Sequence, residues 1–403
     1  MPARIFAQRL AAYVLTAMAL VYGALLFLLG LKAQAMRFWL YWHQGLGFTD
    51  PFCTTGYCDY DMFWLAGVFA RHGQAALLYN HVRYAALAAQ LLPYHSGWWP
   101  FVYPPTVLLP AWIISALPLV AGYYLFSALL VLAAIVLLRR AGVARWCIAA
   151  GLISLAAMWN LYLGQLGLIC GALLAFGLSR LRTHPFPAGA ALSLLAVKPQ
   201  YALLVPVAVL ASRNWRALAA GALGLALLFS LSFTLGGEQA FAAYLGPGRA
   251  AMRTLLEQNF APGGYQAMGT SVFWMLHSLH ASNAAAYAGQ GIVSIACAAL
   301  VWRQWEAGNS PLAATVFCTL LTSPYGFIDD LAIYAVLLPT LARRDTPWRN
   351  AALSWLWLAP AFVPQFVSAY GFLPTPLLLL AALGLSLAQQ EQPLFAKQIR
   401  QPA

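Results

Sequence analysis

The sequence predicts an all-α, polytopic membrane protein, and three observations lead to this fold class. Hydrophobic residues make up 62% of the 403 residues and charged residues 8%, whereas a soluble domain carries roughly 25% charged residues. Several apolar runs reach the roughly 18 to 20 residues that a helix needs to cross a bilayer. The arginines fall mostly in short clusters between these runs, which is typical of cytoplasmic loops. We therefore expect one integral-membrane domain, residues 1–403, with roughly ten to twelve membrane segments.

The formal net charge of +12 does not indicate a nucleic-acid partner. A nucleic-acid-binding protein presents a basic face on a soluble module, and no such module is visible in this sequence. The segment Met1–Arg9, followed by an apolar run to about Leu31, predicts a retained signal anchor with its N-terminus inside. Cytoplasmic loops are predicted at Arg139, Arg140 and Arg145, at Arg213 and Arg216, and at Arg343, Arg344 and Arg349.

The first part of the chain predicts one span, a long outer segment and an ambiguous apolar region. After a span near residues 10–31 comes a first extracytoplasmic loop, residues 34–102, in which 62–72 and 82–92 have the pattern of short interfacial helices. Residues 103–140 fit two crossings, or one crossing plus a re-entrant segment that keeps the Arg139–Arg140 pair inside. The charge of that pair favours the second arrangement.

The remainder of the chain has a more regular pattern. Basic loops at both ends of residues 187–212 predict a short hairpin whose tip, VKPQ, faces outside. A span over 217–235 leads to a second extracytoplasmic loop, residues 236–270. Further spans are predicted at 146–162, 285–302, 311–324, 331–342, 351–368 and 372–388.

This topology brings polar residues from five distant segments to the same, non-cytoplasmic face. They are Asp59 and Asp61, Tyr103 with the two prolines that follow it, Gln165, Lys198, and Asp329 with Asp330. Polar side chains that converge at a membrane boundary indicate a functional site.

Lys198 is one of three lysines in the chain and stands inside an apolar run. An ionisable residue in such a run is a candidate for function because its burial is costly, and Pro199 breaks the helix next to it. The alternative is a lysine that extends its ammonium to the membrane surface.

Asp59 and Asp61 lie in the stretch TGYCDYDMFWLAG. Residues two apart on a helix point to different faces, so we expect at most one of the two to carry out chemistry. Partial desolvation at an interface raises the basicity of such a carboxylate. The second aspartate would cap the helix or bind water or a metal, and solvated loop charges remain the alternative for both.

Other polar residues leave more than one interpretation open. Asp329 and Asp330 fit ligand contact and helix capping equally well. Cys53 and Cys58 flank a short polar loop and fit a disulfide or two free thiols. His277 and His280 have the spacing of metal ligands but lack a nearby third one. The sequence contains none of the P-loop, GxGxxG, GxSxG or HExxH motifs, so no nucleotide-binding domain is visible.

The order of short motifs along nearly the whole chain resembles the polyprenol-phosphate-dependent glycosyltransferases of the GT-C class. It is most similar to glycosyltransferase family 87, which includes mycobacterial phosphatidylinositol-mannoside mannosyltransferases. The matching motifs are D-Y-x-x-F-W-x-A-G (Asp59–Gly67), L-Y-N (Leu78–Asn80), Y-P-P (Tyr103–Pro105), G-Q (Gly164–Gln165), K-P-Q (Lys198–Gln200), R-N-W-R (Arg213–Arg216) and S-P-Y…D-D-L (Ser323–Leu331).

The resemblance implies that Asp59 is the catalytic base, whereas Asp61 departs from the family pattern. It also implies a polyprenyl-phosphate-linked sugar donor, such as polyprenyl-phosphate mannose, a lipid or cell-envelope glycan acceptor, and reaction at the periplasmic face of the bacterial inner membrane. The donor already carries its leaving group, so one base and one cation suffice for an inverting displacement. We expect the substrates to be bound by Lys198, Gln200, Tyr103, Gln165, Asp61, Asp330 and Tyr325.

Two other functions remain open. A transporter or flippase of a lipid-linked sugar would place charges near the midplane within inverted repeats, and no clear repeat is visible. A related GT-C-like ligase or polymerase would present arginine-rich outer loops, for which Arg249 and Arg253 are the only hint. The sequence leaves open the sugar, the acceptor, the linkage and a requirement for a divalent cation.

Overall fold

The structure, a computed structural model, describes residues 2–44, 59–92, 100–309 and 311–390. Within these ranges the chain forms helices joined by short turns, and its extended pairing is limited to an isolated bridge between Gly269 and Phe327. The predicted all-α fold class is therefore confirmed. Cys53 and Cys58 lie outside the described residues.

The first five helices are α1 (Pro2–Gln44), α2 (Asp59–Arg71), α3 (His81–Leu91), α4 (Leu108–Ile114) and α5 (Leu119–Arg140). Helices α2 and α3 coincide closely with the two short helices expected in the first outer loop. Of the ambiguous region 103–140, only α5 has the length of a span, because the apolar helical stretch before it covers just Pro105–Ile114. These lengths agree with one crossing plus a shorter segment.

The middle of the chain forms α6 (Arg145–Leu152), α7 (Leu155–Leu163), α8 (Gly167–Arg180), α9 (Pro185–Ser193), α10 (Val205–Ala211), α11 (Trp215–Ala243) and α12 (Arg249–Glu257). Helices α6 and α7 meet at an angle of 60°. Helix α11 is kinked at Gly237, where φ is 65°, and a π-helical stretch, Tyr244–Gly248, connects it to α12. Much of the predicted second outer loop, 236–270, is therefore helical.

The last seven helices are α13 (Val272–Ser278), α14 (Asn283–Glu306), α15 (Leu312–Thr322), α16 (Ala332–Leu337), α17 (Pro347–Leu358), α18 (Val363–Tyr370) and α19 (Thr375–Gln390). A 3₁₀ turn, Ile328–Leu331, precedes α16. This turn carries the second acidic pair of the sequence.

Five helical segments of the described chain are long and apolar enough to cross a membrane, and the bent pair α6–α7 would make a sixth. They are Phe6–Met36, Leu119–Arg140, Trp215–Glu257, Asn283–Glu306 and Pro347–Tyr370. Six shorter apolar helices of 10–17 residues accompany them. A multi-pass membrane protein is confirmed, whereas the count of ten to twelve segments depends on the shorter helices and stays a prediction.

Two hydrophobic clusters enclose the region where the polar residues meet. The larger cluster joins α2, α5, α8 and α16 through side chains such as Tyr60, Phe126 and Tyr334. The smaller cluster joins α12, α13 and α18 through Leu256, Trp274 and Val367. Buried side chains of α2, the start of α8 and the Ile328–Leu331 turn belong to these clusters. Close packing of such side chains holds the three elements in a fixed relation.

Candidate active site

Asp59 begins α2, and its neighbours Tyr60 and Phe63 are buried in the larger cluster. The Asp59 carboxylate is partly exposed and lines a cavity. Asp61 is completely buried and is not among the residues that line this cavity. The two aspartates therefore occupy different environments, as their spacing on the helix predicts.

Gln165 connects Asp59 to residues from distant parts of the chain. Its Nε2 donates to Asp59 Oδ2 at 2.8 Å and to the Tyr103 hydroxyl at 2.7 Å. Its Oε1 accepts from Lys198 Nζ at 3.3 Å and from the Leu166 amide at 3.2 Å. Lysine and a backbone amide only donate, so these partners set the orientation of the Gln165 amide with its NH₂ group toward Asp59.

The backbone between α7 and α8 places Gln165 at this junction. Gly164 ends α7 in the left-handed conformation, with φ 69° and ψ 35°, which glycine adopts without a steric penalty. The backbone N–H of Gln165 then donates to the backbone carbonyl of Asn160 at 2.8 Å. With its side-chain amide in the orientation that satisfies both ends, Asn160 donates to the Gln165 carbonyl at 3.0 Å and accepts from the Gly167 amide at 2.8 Å.

Lys198 lies between two 3₁₀ turns, Leu194–Val197 and Pro199–Ala202. Its backbone leaves the helical region, with φ −139° and ψ 75°, because the residue before a proline is driven away from the helical conformation. The side chain is buried, with 3% exposure. Lys198 Nζ forms ion pairs with Asp329 Oδ2 at 3.2 Å and with Asp330 Oδ1.

Asp329 and Asp330 hold Lys198 from the 3₁₀ turn before α16. Asp330 also accepts from the Phe327 amide at 3.1 Å and from the Tyr201 hydroxyl at 3.2 Å. Asp330 therefore both caps the 3₁₀ turn and pairs with Lys198. Asp329 lines the same cavity as Asp59, whereas Asp330, for which the sequence predicts substrate contact, does not.

The cavity has a volume of about 210 Å³. Four side chains form its polar end: Asp59, Gln165, Lys198 and Asp329. Tyr103, Gln200 and Tyr325, which were predicted to bind substrate, also line it, together with Trp159, Tyr244, Met252, Leu255, Tyr265, Met268, Trp274 and Phe327. A largely apolar and aromatic cavity with a few convergent polar groups is the usual form of a small-molecule site.

The apolar part of the cavity wall could not be predicted from the sequence. Met252 and Leu255 come from α12, Trp274 comes from α13, and Trp159 comes from α7. Their signal in the sequence is weak, because apolar and aromatic residues also fill the core. Only the packing of distant helices separates a cavity wall from the core.

Burial raises the pKa of Asp59 to about 7, and the Asp329 carboxylate adds to the shift. The hydrogen bond from Gln165 and the charge of Lys198 act in the opposite direction. A pKa near neutrality is the value at which a carboxylate works best as a general base. Such a group can accept a proton from a substrate hydroxyl that binds in the cavity.

Metal ligands are not grouped in the described part of the chain. No set of three or more His, Cys, Asp or Glu side chains there could hold a metal ion. His277, half of the spaced histidine pair, packs against the Phe273 ring with the ring centroids 4.4 Å apart and does not line the cavity.

The fold and the site together define a multi-pass membrane protein with an enzyme-like cavity beside a buried ion-pair network. The family model for glycosyltransferase family 87 matches residues 101–324, more than half of the 403 residues. The chain belongs to glycosyltransferase family 87 and is a membrane glycosyltransferase. Among curated proteins none matches, and no solved structure matches either. The matched range contains Tyr103, Gln165 and Lys198.

Proposed function

We propose that this protein transfers a sugar from a polyprenyl-phosphate donor to a hydroxyl of a lipid or cell-envelope glycan. The sugar we propose is a mannose-type hexose, and the reaction takes place at the periplasmic face of the bacterial inner membrane. The observation that carries this proposal is the position of Asp59, a carboxylate with a raised pKa that faces a cavity with an apolar wall.

The reaction is a single inverting displacement. Asp59 accepts the proton of the acceptor hydroxyl, and the hydroxyl oxygen forms a bond to the anomeric carbon on the face opposite the phosphate. The bond between the anomeric carbon and the phosphate oxygen breaks, and its electron pair leaves with the polyprenyl phosphate. The pKa of about 7 for Asp59 suits this proton transfer near neutral pH.

The neighbouring polar groups position the reactants. Gln165 holds the Asp59 carboxylate through its 2.8 Å hydrogen bond, and Lys198 brings an ammonium to the same end of the cavity. Tyr103, Gln200 and Tyr325 offer hydrogen-bonding groups to sugar hydroxyls along the wall. We propose that Asp330 acts by holding Lys198 and that the buried Asp61 supports α2.

The proposal is tested with purified protein in lipid nanodiscs. The protein is supplied with radiolabelled polyprenyl-phosphate mannose and an extract of bacterial envelope lipids. We expect label in a new lipid or glycan product whose glycosidic bond has the inverted anomeric configuration. A parallel reaction with a nucleotide-linked mannose should give no product, since no nucleotide-binding domain is visible in the sequence.

Two results would contradict the proposal. Transfer from the nucleotide sugar alone would place the donor in another class. Movement of the labelled lipid between the leaflets of sealed vesicles, without a new covalent product, would assign the protein to transport.

A further inference from the structure

The polar end of the cavity does not by itself provide a positive environment for a phosphate. Lys198 contacts two carboxylates, Asp329 and Asp330, and Asp59 is a third acidic group there. One positive charge and two or three negative charges leave this network net negative. A lipid phosphate that enters the cavity therefore needs a further cation, because a like charge in a poorly solvated site is strongly disfavoured.

Helix α12 forms part of the wall of the same cavity. Met252 and Leu255 contribute to the cavity wall, and Leu256 is buried. The last turn of the helix is held in place by the Trp274 indole, which donates to the Leu256 carbonyl at 3.2 Å, and by the Tyr265 hydroxyl, which donates to the Leu255 carbonyl. The helix thus carries its side chains at a defined position over the cavity.

The two arginines of α12 differ in their partners. Arg253 Nε bonds Glu257 Oε1 at 2.9 Å, so its charge is paired. Arg249, one turn earlier, is exposed, and its guanidinium forms no ion pair or hydrogen bond with any residue that the structure describes. It lies three residues before Met252, a spacing that places both on one side of the helix.

The positive charge of Arg249 also affects the pKa values of residues in the cavity wall. Burial raises the pKa of Tyr244, which lines the cavity, and the positive charge of Arg249 opposes this shift. Burial and the Glu257 carboxylate raise the pKa of Tyr325, and the charges of Arg249 and Arg253 oppose this shift. Tyr325 is a second residue of the cavity wall, so the positive charge of Arg249 affects the pKa of two residues of the wall.

We propose that Arg249 binds the phosphate of the lipid donor at the mouth of the cavity, whereas Arg253 does not. The inference rests on the proposed function, because it assigns the donor phosphate of that reaction. A guanidinium binds phosphate oxygens through paired hydrogen bonds, and none of the described residues pairs with the Arg249 guanidinium. The apolar side chains Met252 and Leu255 then contact the first isoprene units of the lipid.

The experiment measures binding of a short-chain polyprenyl monophosphate, which lacks the sugar, to purified protein in phosphatidylcholine nanodiscs. Binding is followed by the quenching of tryptophan fluorescence, to which Trp159 and Trp274 in the cavity wall contribute. Arg249→Gln should weaken binding about 10- to 100-fold, since a charged hydrogen bond is involved. Arg249→Lys should recover part of the affinity, and Arg253→Gln, the matched control, should change it less than about threefold.

Each alternative outcome has a distinct meaning. Wild-type affinity in Arg249→Gln, or equal losses in both glutamine variants, would overturn the assignment of Arg249 while leaving the proposed function intact. Failure of the wild-type protein to bind polyprenyl phosphate would overturn the proposed function as well. Competition by inorganic phosphate, or binding of phosphatidylglycerol nanodiscs that depends on Arg249, would assign the residue to free phosphate or to the lipid surface and overturn the donor assignment.

Discussion

The negative charge of the Asp59 carboxylate is poorly solvated at its position in the site. Burial and Asp329 raise its pKa from 3.8 to about 7. The folded protein therefore holds the proton of Asp59 more tightly than the unfolded chain does. The resulting contribution to stability is fully present below pH 3.8 and is lost as the pH rises through about 7.

Replacing Asp59 with asparagine should consequently stabilise the protein at alkaline pH. At pH 8 the substitution removes a poorly solvated charge, and we expect the free energy of unfolding to rise by about 1 to 3 kcal/mol. At pH 5, inside the range from 3.8 to about 7 over which this stability is lost, the rise should be smaller than at pH 8. Thermal unfolding in detergent at both pH values measures this, with the exposed Asp345→Asn as control. Equal melting temperatures of wild type and Asp59→Asn at pH 8 would show that Asp59 is well solvated.

Gln165 offers a second test at the residue scale. Its hydrogen bond lowers the pKa of Asp59 against the effect of burial. Gln165→Leu removes this donor, so the rise of kcat with pH should move to higher pH by roughly one unit. The exposed Gln90→Leu should leave the profile unchanged. A lower kcat with an unshifted profile would mean that Gln165 has only a structural role.

The residues of the site could be predicted from the sequence more easily than their roles. Charges and helix breakers inside apolar runs single out Lys198 and Asp59. The sequence does not distinguish Asp329 from Asp330, because the side that each carboxylate takes depends on a single 3₁₀ turn. It also does not reveal that Lys198 contacts both of them, a contact between residues more than a hundred positions apart.

At the scale of elements, the site depends on a close contact between the start of α8 and the Ile328–Leu331 turn. A Cβ atom added to Gly167 would lie 2.6 Å from the Asp329 carbonyl oxygen. Contacts below about 3 Å require the backbone to move, since both neighbours belong to packed elements. Glycine at this position thus permits Asp329 to reach Lys198.

We therefore expect Gly167→Ala to displace the turn and weaken the ion pairs of Lys198. The free energy of unfolding should fall by about 1 to 3 kcal/mol, and transfer activity should fall with it. Gly291→Ala in α14 is a matched control, because nothing lies within 4 Å of its Cβ position. Unfolding in detergent and the transfer assay measure both effects. A Gly167→Ala protein with wild-type stability and activity would show that the contact is not required.

Helix α12 shows why the cavity wall could not be predicted. The sequence predicts an outer loop over 236–270, but a helical segment continues to Glu257. Its position depends on hydrogen bonds to Tyr265 and Trp274 and on the kink at Gly237. The two hydrogen bonds are tertiary contacts, which override local pattern.

At the scale of the whole molecule, the composition and the arginine clusters were sufficient to predict the fold class. The sidedness of the site rests on the arginine clusters alone. The length of one helical segment is compatible with the predicted second outer loop. The segment Trp215–Glu257 has 43 residues, about twice what a bilayer requires, so the part after the Gly237 kink has room to lie outside the membrane.

Cysteine labelling tests this topology. Single cysteines introduced at the exposed positions Ala250 and Asp345 should differ in their accessibility to reagents outside intact cells. A membrane-impermeant maleimide should label Ala250→Cys and not Asp345→Cys, because the second lies in an arginine-rich loop. Permeabilised cells, in which both should react, provide the control. Labelling of Asp345→Cys from outside would place the site on the cytoplasmic face.

The most direct test of a glycosyltransferase with Asp59 as its base compares two conservative variants. Purified Asp59→Asn and Asp61→Asn are assayed for transfer of radiolabel from polyprenyl-phosphate mannose to the lipid acceptor. Asparagine keeps the shape of the side chain but cannot take up a proton at neutral pH, so Asp59→Asn should lose about 10²- to 10⁴-fold in kcat. Asp61→Asn, at the buried position outside the cavity, should lose much less. Near wild-type turnover by Asp59→Asn, with loss in Asp61→Asn, would exchange the two roles, and full activity of both variants would contradict the mechanism.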